Sequence, residues 1–130
     1  MAVEPSAEML KLAQAKYTDV TWQQDSLPQL KDVEGQYDLV CCINVLMFID
    51  PAERPIALQR MLDLVKPGGL LWLIVRDEPS FDDGRTRWKV DYDELKLPYS
   101  GAILVQSAVL PDSAGRDDIT FPTFLYRKNG

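Results

Sequence analysis

Leu39 to Ile43 and Leu70 to Val75 are short runs in which apolar residues follow one another instead of alternating with polar ones. That is the pattern of strands covered on both faces. Between them Leu58, Met61, Leu62 and Val65 recur at helical spacing. Two such strands joined by one helix form a right-handed crossover in a parallel sheet, so the middle of the chain is α/β, with Tyr37 to Ile43 as a central strand. Asp50-Pro51-Ala52-Glu53 carries a helix-start signature: an Asp cap, a proline in the first turn and Glu three residues after the cap. Pro55 removes a first-turn hydrogen bond and predicts a distorted opening turn or a start nearer Arg54. Lys66-Pro67-Gly68-Gly69 is expected to end the helix and lead into the second strand.

On the N-terminal side, Ser6 can cap a helix over about residues 6 to 17, with Glu8 in the first turn and Met9, Leu10, Ala13 and Tyr17 on one face. Val20 to Gln24 is a short β-branched and aromatic strand that stops at the turn signal Asp25-Ser26-Leu27-Pro28. On the C-terminal side, Ala102 to Leu110 and Ile119 to Arg127 suit an antiparallel hairpin. Pro122 argues for a bulge or an unpaired segment in its last strand. Between Arg76 and Gly101 the chain is polar, with a turn at Asp82-Asp83-Gly84-Arg85 and a weak helical pattern from Asp91 to Leu97. Arg85, Arg87 and Trp88 are read as part of a solvated loop rather than as contacts to a methyl acceptor.

At 130 residues the chain has the length of one domain, 1–130, with a modest core. Its 14 Lys plus Arg against 20 Asp plus Glu leave a net charge of -6, the wrong sign for neutralising phosphates, so no nucleic-acid partner is expected. Neither a membrane span nor a signal peptide is legible, which points to the cytoplasm. The adjacent Cys41 and Cys42 cannot close a long loop and are read as packing thiols. With 0 histidines the commonest metal ligand and every His-based nucleophile arrangement are missing, so no metal site is expected.

Four segments taken together resemble class I S-adenosylmethionine-dependent methyltransferases. They are Val3-Glu4-Pro5-Ser6-Ala7-Glu8-Met9-Leu10, Gln24-Asp25-Ser26-Leu27-Pro28, Tyr37-Asp38-Leu39-Val40 and Met61 to Leu71, in matching order and spacing over residues 3 to 76. The resemblance implies a Rossmann-like sheet, mostly parallel, with an antiparallel C-terminal hairpin. It implies S-adenosylmethionine as cofactor and a small-molecule methyl acceptor. Carried over residue by residue, Glu4 matches the acidic residue that accepts from both ribose hydroxyls. Asp25 matches the acceptor for the adenine amino group, with the Ser26 backbone and the Leu27 side chain at the ring's edge and face and Pro5 on its other side. Without the resemblance Glu4 reads as a solvated carboxylate and Asp25 as a turn residue. Ile43 and Asn44 match positions beside the methionine portion and the acceptor, Asn44 reading equally as a turn residue. No catalytic residue is named.

The resemblance also implies a gap, because such enzymes begin with a strand, a glycine-rich loop and a helix that hold the methionine carboxylate. None of the glycines, at 35, 68, 69, 84, 101, 115 and 130, supplies that loop. The sheet is therefore expected to be incomplete, truncated at its N-terminus, with damage to catalysis greater than to binding. A non-catalytic binding or assembly module on the same scaffold is the alternative function. The missing strand would lie beside Tyr37 to Ile43. Its exposed edge must be hydrated, re-paired with Val20 to Gln24, or paired with a second chain, and a homodimer through strand 37–43 is the favoured outcome.

Overall fold

The apolar runs and the helical stripe do form the expected crossover. The computed structural model describes residues 1–77, 86–96 and 99–130, so the turn expected at Asp82 to Arg85 and the end of the weak helix, Leu97, lie outside the described residues. Strand β3 (Tyr37–Ile43) leads through a 3-10 turn at Leu46–Phe48 into helix α2 (Arg54–Asp63), and strand β4 (Val65–Ile74) returns parallel to β3. As Pro55 foretold, helix α2 starts at Arg54, with the proline in its first turn. Asp50 instead accepts from the Ala52 N–H at 2.9 Å, closing the turn before it.

The C-terminal hairpin is also present. Strands β5 (Ala102–Pro111) and β6 (Thr120–Lys128) pair antiparallel, and β6 inserts beside β4, giving the order β3-β4-β6-β5. Helix α3 (Tyr92–Lys96) lies within the expected 91–97 stretch. Ahead of β3, strands β1 (Ala2–Val3) and β2 (Trp22–Gln23) form a separate two-stranded parallel sheet joined by helix α1 (Ala7–Lys16). Ser6 caps α1 by accepting from the Met9 N–H at 3.3 Å. The result is a mixed α/β fold, parallel in its first half and antiparallel at its end.

Four expectations change. First, Lys66 to Gly69 does not end the helix, which stops at Asp63, but lies inside β4 as a bulge where the register against β3 slips between Tyr37 and Leu39. Gly68 takes φ +78 there, and a Cβ on Gly69 would stand 2.8 Å from both the Asp38 carbonyl oxygen and Val65 Cγ1. Backbone cannot yield, so Gly69→Ala is expected to cost about 1–3 kcal/mol in urea unfolding. An unchanged midpoint would refute that account of the bulge.

Second, Pro122 is neither bulged nor unpaired. It faces Val109 in the hairpin and its carbonyl accepts from Val75 N at 2.9 Å. Its missing N–H falls just past the last β4–β6 rung, Ile74 against Thr123, where one lost donor costs least. The bulge sits instead in β5, between Leu104 and Gln106.

Third, Tyr37 to Ile43 is not central in its sheet: β2 pairs with β1 and not with β3, which keeps a free edge among the described residues. Fourth, β3 is covered on one face only. The register stacks Val40, Leu71, Tyr126 and Leu104 in one row and Cys42, Leu73, Phe124 and Ser107 in the next. These rows face α2, where Ala57, Leu58, Met61 and Leu62 are buried, and form the core. The opposite rows, such as Cys41, Trp72, Leu125 and Gln106, have no helix over them among the described residues, and Leu39 is 49% exposed. Helix α1 packs against β2 with none of its residues fully buried: Leu10 and Ala13 of its expected apolar face are half-buried, while Met9 and Tyr17 are exposed. Among the described residues no helix is long and apolar enough to cross a membrane.

A turn between the hairpin strands carries an acid-sensitive link. Asp112 accepts from Arg116 Nε at 2.7 Å, Nη2 at 3.1 Å and the backbone N at 3.1 Å. The guanidinium hydrogen bonds hold the Asp112 carboxyl down to about 2, from an ordinary 3.8. A carboxyl with its folded value depressed stabilises the fold above the ordinary value and loses that contribution as pH falls towards 2. Replacing Asp112 with Asn should flatten the acid limb of a stability-against-pH curve in that window. An acid limb of unchanged slope would refute the link.

Candidate functional site

The parallel register of β1 and β2, with Ala2 against Trp22 and Val3 against Gln23, brings the C-terminal ends of both strands side by side. Glu4 leaves the first end and Asp25 follows the second. The Gln24 side chain donates to the Pro5 carbonyl at 3.1 Å and ties the two ends together. Ligands of open parallel sheets collect at this end of the strands.

Each carboxylate is fixed locally. Glu4 Oε1 accepts from the Ser6 N–H at 3.0 Å, and among the described residues Oε2 has no protein donor. Asp25 Oδ1 accepts from Ser26 N at 2.8 Å and Oδ2 from Asp32 N at 2.9 Å, so the side chain closes the 25–32 loop. Partial burial acts to raise the Asp25 carboxyl, but the backbone N–H groups of Asp32, Ser26 and Lys31 outweigh it and hold it below its ordinary value. Asp25 is therefore ionised at neutral pH. A carboxylate offers about four acceptor positions, so both side chains can still take donors from a ligand.

Ser26 has less to give, since its N–H goes to Asp25 and its carbonyl accepts from Leu30 N at 2.9 Å. Leu27 is half-buried against the core, and Pro5 is exposed. The structure thus brings the segment Glu4–Pro5 beside the strand end from which the Asp25–Leu27 turn departs. Ile43 and Asn44 stand apart, at the end of β3 in the other sheet. Tyr37 Oη lies 3.9 Å from Met1 Sδ, which sets the start of β3 beside the start of β1. Asn44 takes φ 58, a left-handed conformation Asn tolerates, and its N–H donates to the Ile74 carbonyl at 2.8 Å. Its Oδ1 is buried and has no protein donor among the described residues.

Two arginines that the sequence reading passed over hold these parts in place. Arg60, on α2, donates from Nε to Gln29 O at 2.9 Å and from Nη2 to Leu30 O at 2.9 Å and Val33 O at 2.6 Å, pinning the Asp25 loop to the main sheet's helix. Arg54 is 1% exposed. It donates to the carbonyls of Leu46, Trp88 and Lys89 and to Glu94. Trp88 N also donates to Met47 O at 2.8 Å, so the chain after β3 and the 86–96 segment are locked together beside Asn44. Arg54 shares a helical stripe with Leu58 and Met61, and that position was its only signal in the sequence.

Residues 1–69 match the sequence profile of a family described as methyltransferase domain. The chain belongs to that family. The cofactor of the family is S-adenosylmethionine. A comparison with curated protein sequences gives no match. Among solved structures the chain is similar to the N-methyltransferase NodS from Bradyrhizobium japonicum WM9, with 14% identity, a TM-score of 0.73, and 98% of this chain over 72% of that one. A methyltransferase from Clostridium acetobutylicum ATCC 824 gives 12% and 0.74, covering 99% of this chain and 74% of the other. The 1,6-didemethyltoxoflavin-N1-methyltransferase of Burkholderia thailandensis, solved with S-adenosylhomocysteine, gives 19% and 0.73, covering 99% of this chain. The chain spans 60% of that enzyme's length. At these identities the likeness shows the fold.

The residues present fit the adenosine half of the family's cofactor. Glu4 and Asp25 are ordered acceptors at adjacent strand ends with capacity left for hydroxyl and amino donors. The β1–α1 connection, Glu4 to Ser6, contains no glycine, and no other described strand-to-helix turn is glycine-rich.

Proposed function

We propose that this methyltransferase-family chain, as one domain over residues 1–130, binds S-adenosylmethionine through its adenosine half and serves methyl transfer to a small molecule. The observation that carries the reading is the pair of carboxylates at the ends of β1 and β2, each immobilised by backbone donors before any ligand arrives. Preorganised acceptors lose little entropy on binding. In this reading Glu4 accepts from the ribose hydroxyls and Asp25 from the adenine amino group, while Leu27 and Pro5 flank the ring beside Ser26. Arg60 keeps the Asp25 loop in register with the main sheet. The cofactor supplies a methyl group activated on a sulfonium sulfur. Ile43 and Asn44 face the methionine and acceptor side, where a donor group on the acceptor would satisfy the buried Asn44 oxygen. The proposed setting is the cytoplasm, where Cys41 and Cys42 stay free thiols, and the proposed assembly is a homodimer that covers β3 (37–43).

The absence of a glycine-rich turn among the described strand-to-helix connections supports a second reading, a non-catalytic binding or assembly module. Saturation-transfer NMR with S-adenosylhomocysteine tests the first reading. Saturation is expected on the adenine and ribose protons and weakly on the methionine chain. No saturation on the adenine ring would overturn the assignment, and equal saturation along the methionine chain would remove the ground for the second reading.

A further inference from the structure

Between helix α3 and the C-terminal hairpin lies a groove of about 220 Å³. Phe124 and Pro122, both buried, form its floor. Tyr92 and Lys96 line it from the helix, Ser107 and Val109 from β5. The helix side is fixed before anything enters. The Tyr92 ring packs against Phe124 with centroids 6.2 Å apart and planes at 42°, and its hydroxyl donates to Asp77. Glu94 anchors α3 by accepting from Arg54 Nη1 at 2.9 Å, while its carbonyl accepts from the Tyr99 hydroxyl at 2.6 Å. Groups held in this way lose little freedom when a ligand binds.

Two polar groups in the groove have no protein partner. Among the described residues the Lys96 ammonium makes no ion pair and the Ser107 hydroxyl no hydrogen bond. Lys96 is also the one charged residue of the lining, in a chain whose net charge is -6. A ligand drawn to it is an anion.

We infer that the groove binds a small aromatic carboxylate, with the carboxylate on Lys96 and Ser107 and the ring over Phe124 and Pro122. One ammonium balances a monoanion, whereas a phosphate dianion would keep a charge uncompensated. Ammonium and hydroxyl can both donate, which matches the two oxygens of a carboxylate. The aromatic floor offers offset and edge contacts to a ring. Size sets the limit: an apolar cavity of about 150 Å³ takes up benzene, so this groove has room for one ring and a short arm. The ligand is distinct from the methyl acceptor. Pro122 and Val109 lie two and three strands from β3, and with strands about 4.8 Å apart that is about 10 to 14 Å from Asn44. The inference is therefore independent of the cofactor reading.

Titration of phenylacetate into the isotope-labelled full chain, followed by amide chemical shifts, tests the site. Saturable shifts at Tyr92, Lys96, Ser107 and Val109 are expected in the millimolar range, and none from acetate, which lacks the ring. Phenylacetamide, the uncharged isostere, should bind about three- to fivefold more weakly, the size of an ion pair open to solvent. Lys96→Gln should bring the two ligands level. If circular dichroism shows that variant unfolded, the wild-type preference for phenylacetate serves instead, and it should vanish at high salt. Val109→Trp, at an exposed position, narrows the groove and should weaken both ligands. Absent saturation at the groove, acetate binding as well as phenylacetate, or a preference for the anion that survives Lys96→Gln or high salt would each overturn the site.

Discussion

Arg54→Ala is expected to lower the stability of the chain by about 3–5 kcal/mol, the loss that follows when one partner of a buried charged network is deleted. The guanidinium spans four acceptors on three segments: Leu46 O at 3.1 Å, Trp88 O at 3.0 Å, Lys89 O at 3.0 Å and Glu94 Oε1 at 2.9 Å. Truncation strands those carbonyls in a space too enclosed for water to replace every bond, and leaves a cavity under α2 as well. Lysine does not rescue it, because a single ammonium cannot follow the planar fork. Glu94→Gln provides the contrast. Its side chain is 32% exposed and the amide oxygen still accepts, so the expected loss is smaller, about 1–2 kcal/mol. Urea unfolding of the two variants beside wild type measures both. A loss under about 1 kcal/mol for Arg54→Ala would mean that the segments are held by something else.

Glu4→Ala and Asp25→Ala are each expected to weaken S-adenosylhomocysteine binding by about 1–3 kcal/mol, about 5- to 150-fold, for one lost charge-assisted hydrogen-bonding group. The two should differ in origin. Glu4 is tied only to Ser6, so its loss removes ligand contacts and little else. Asp25 also closes its own loop through Ser26 and Asp32, so its truncation loosens the ring platform too. Asp25→Asn separates these effects, since the amide keeps one oxygen acceptor while the charge is gone. Because the backbone donors hold the Asp25 carboxyl below its ordinary value, affinity should be level across the neutral range and fall only in acid. Unchanged affinity in both alanine variants would dissociate the carboxylates from binding.

The crossover, the hairpin and the strand that ends before Asp25 were legible because each rests on local pattern. Apolar runs, a capped helical stripe and turn residues speak for themselves. What lay hidden is set by neighbours in space. The run Leu39 to Ile43 reads as doubly covered, yet it could not reveal that Leu39, Cys41 and Ile43 are exposed. Lys66 to Gly69 reads as a helix stop, and only the approach of Asp38 to Gly69 shows it to be a bulge. Arg54 and Arg60 look like ordinary helix charges until the carbonyls they collect from distant segments come into view. At the site, the family resemblance singled out Glu4 and Asp25, whereas the backbone bonds that immobilise them and engage Ser26 depend on the loop's conformation.

The account stands or falls on whether the two carboxylates hold the adenosine half of the cofactor without a glycine-rich loop. Isothermal titration calorimetry of the full 130-residue chain with S-adenosylhomocysteine measures this directly. The account predicts saturable binding in the micromolar range, roughly -8 kcal/mol, competed by adenosine. No heat and no saturation at millimolar ligand would contradict it.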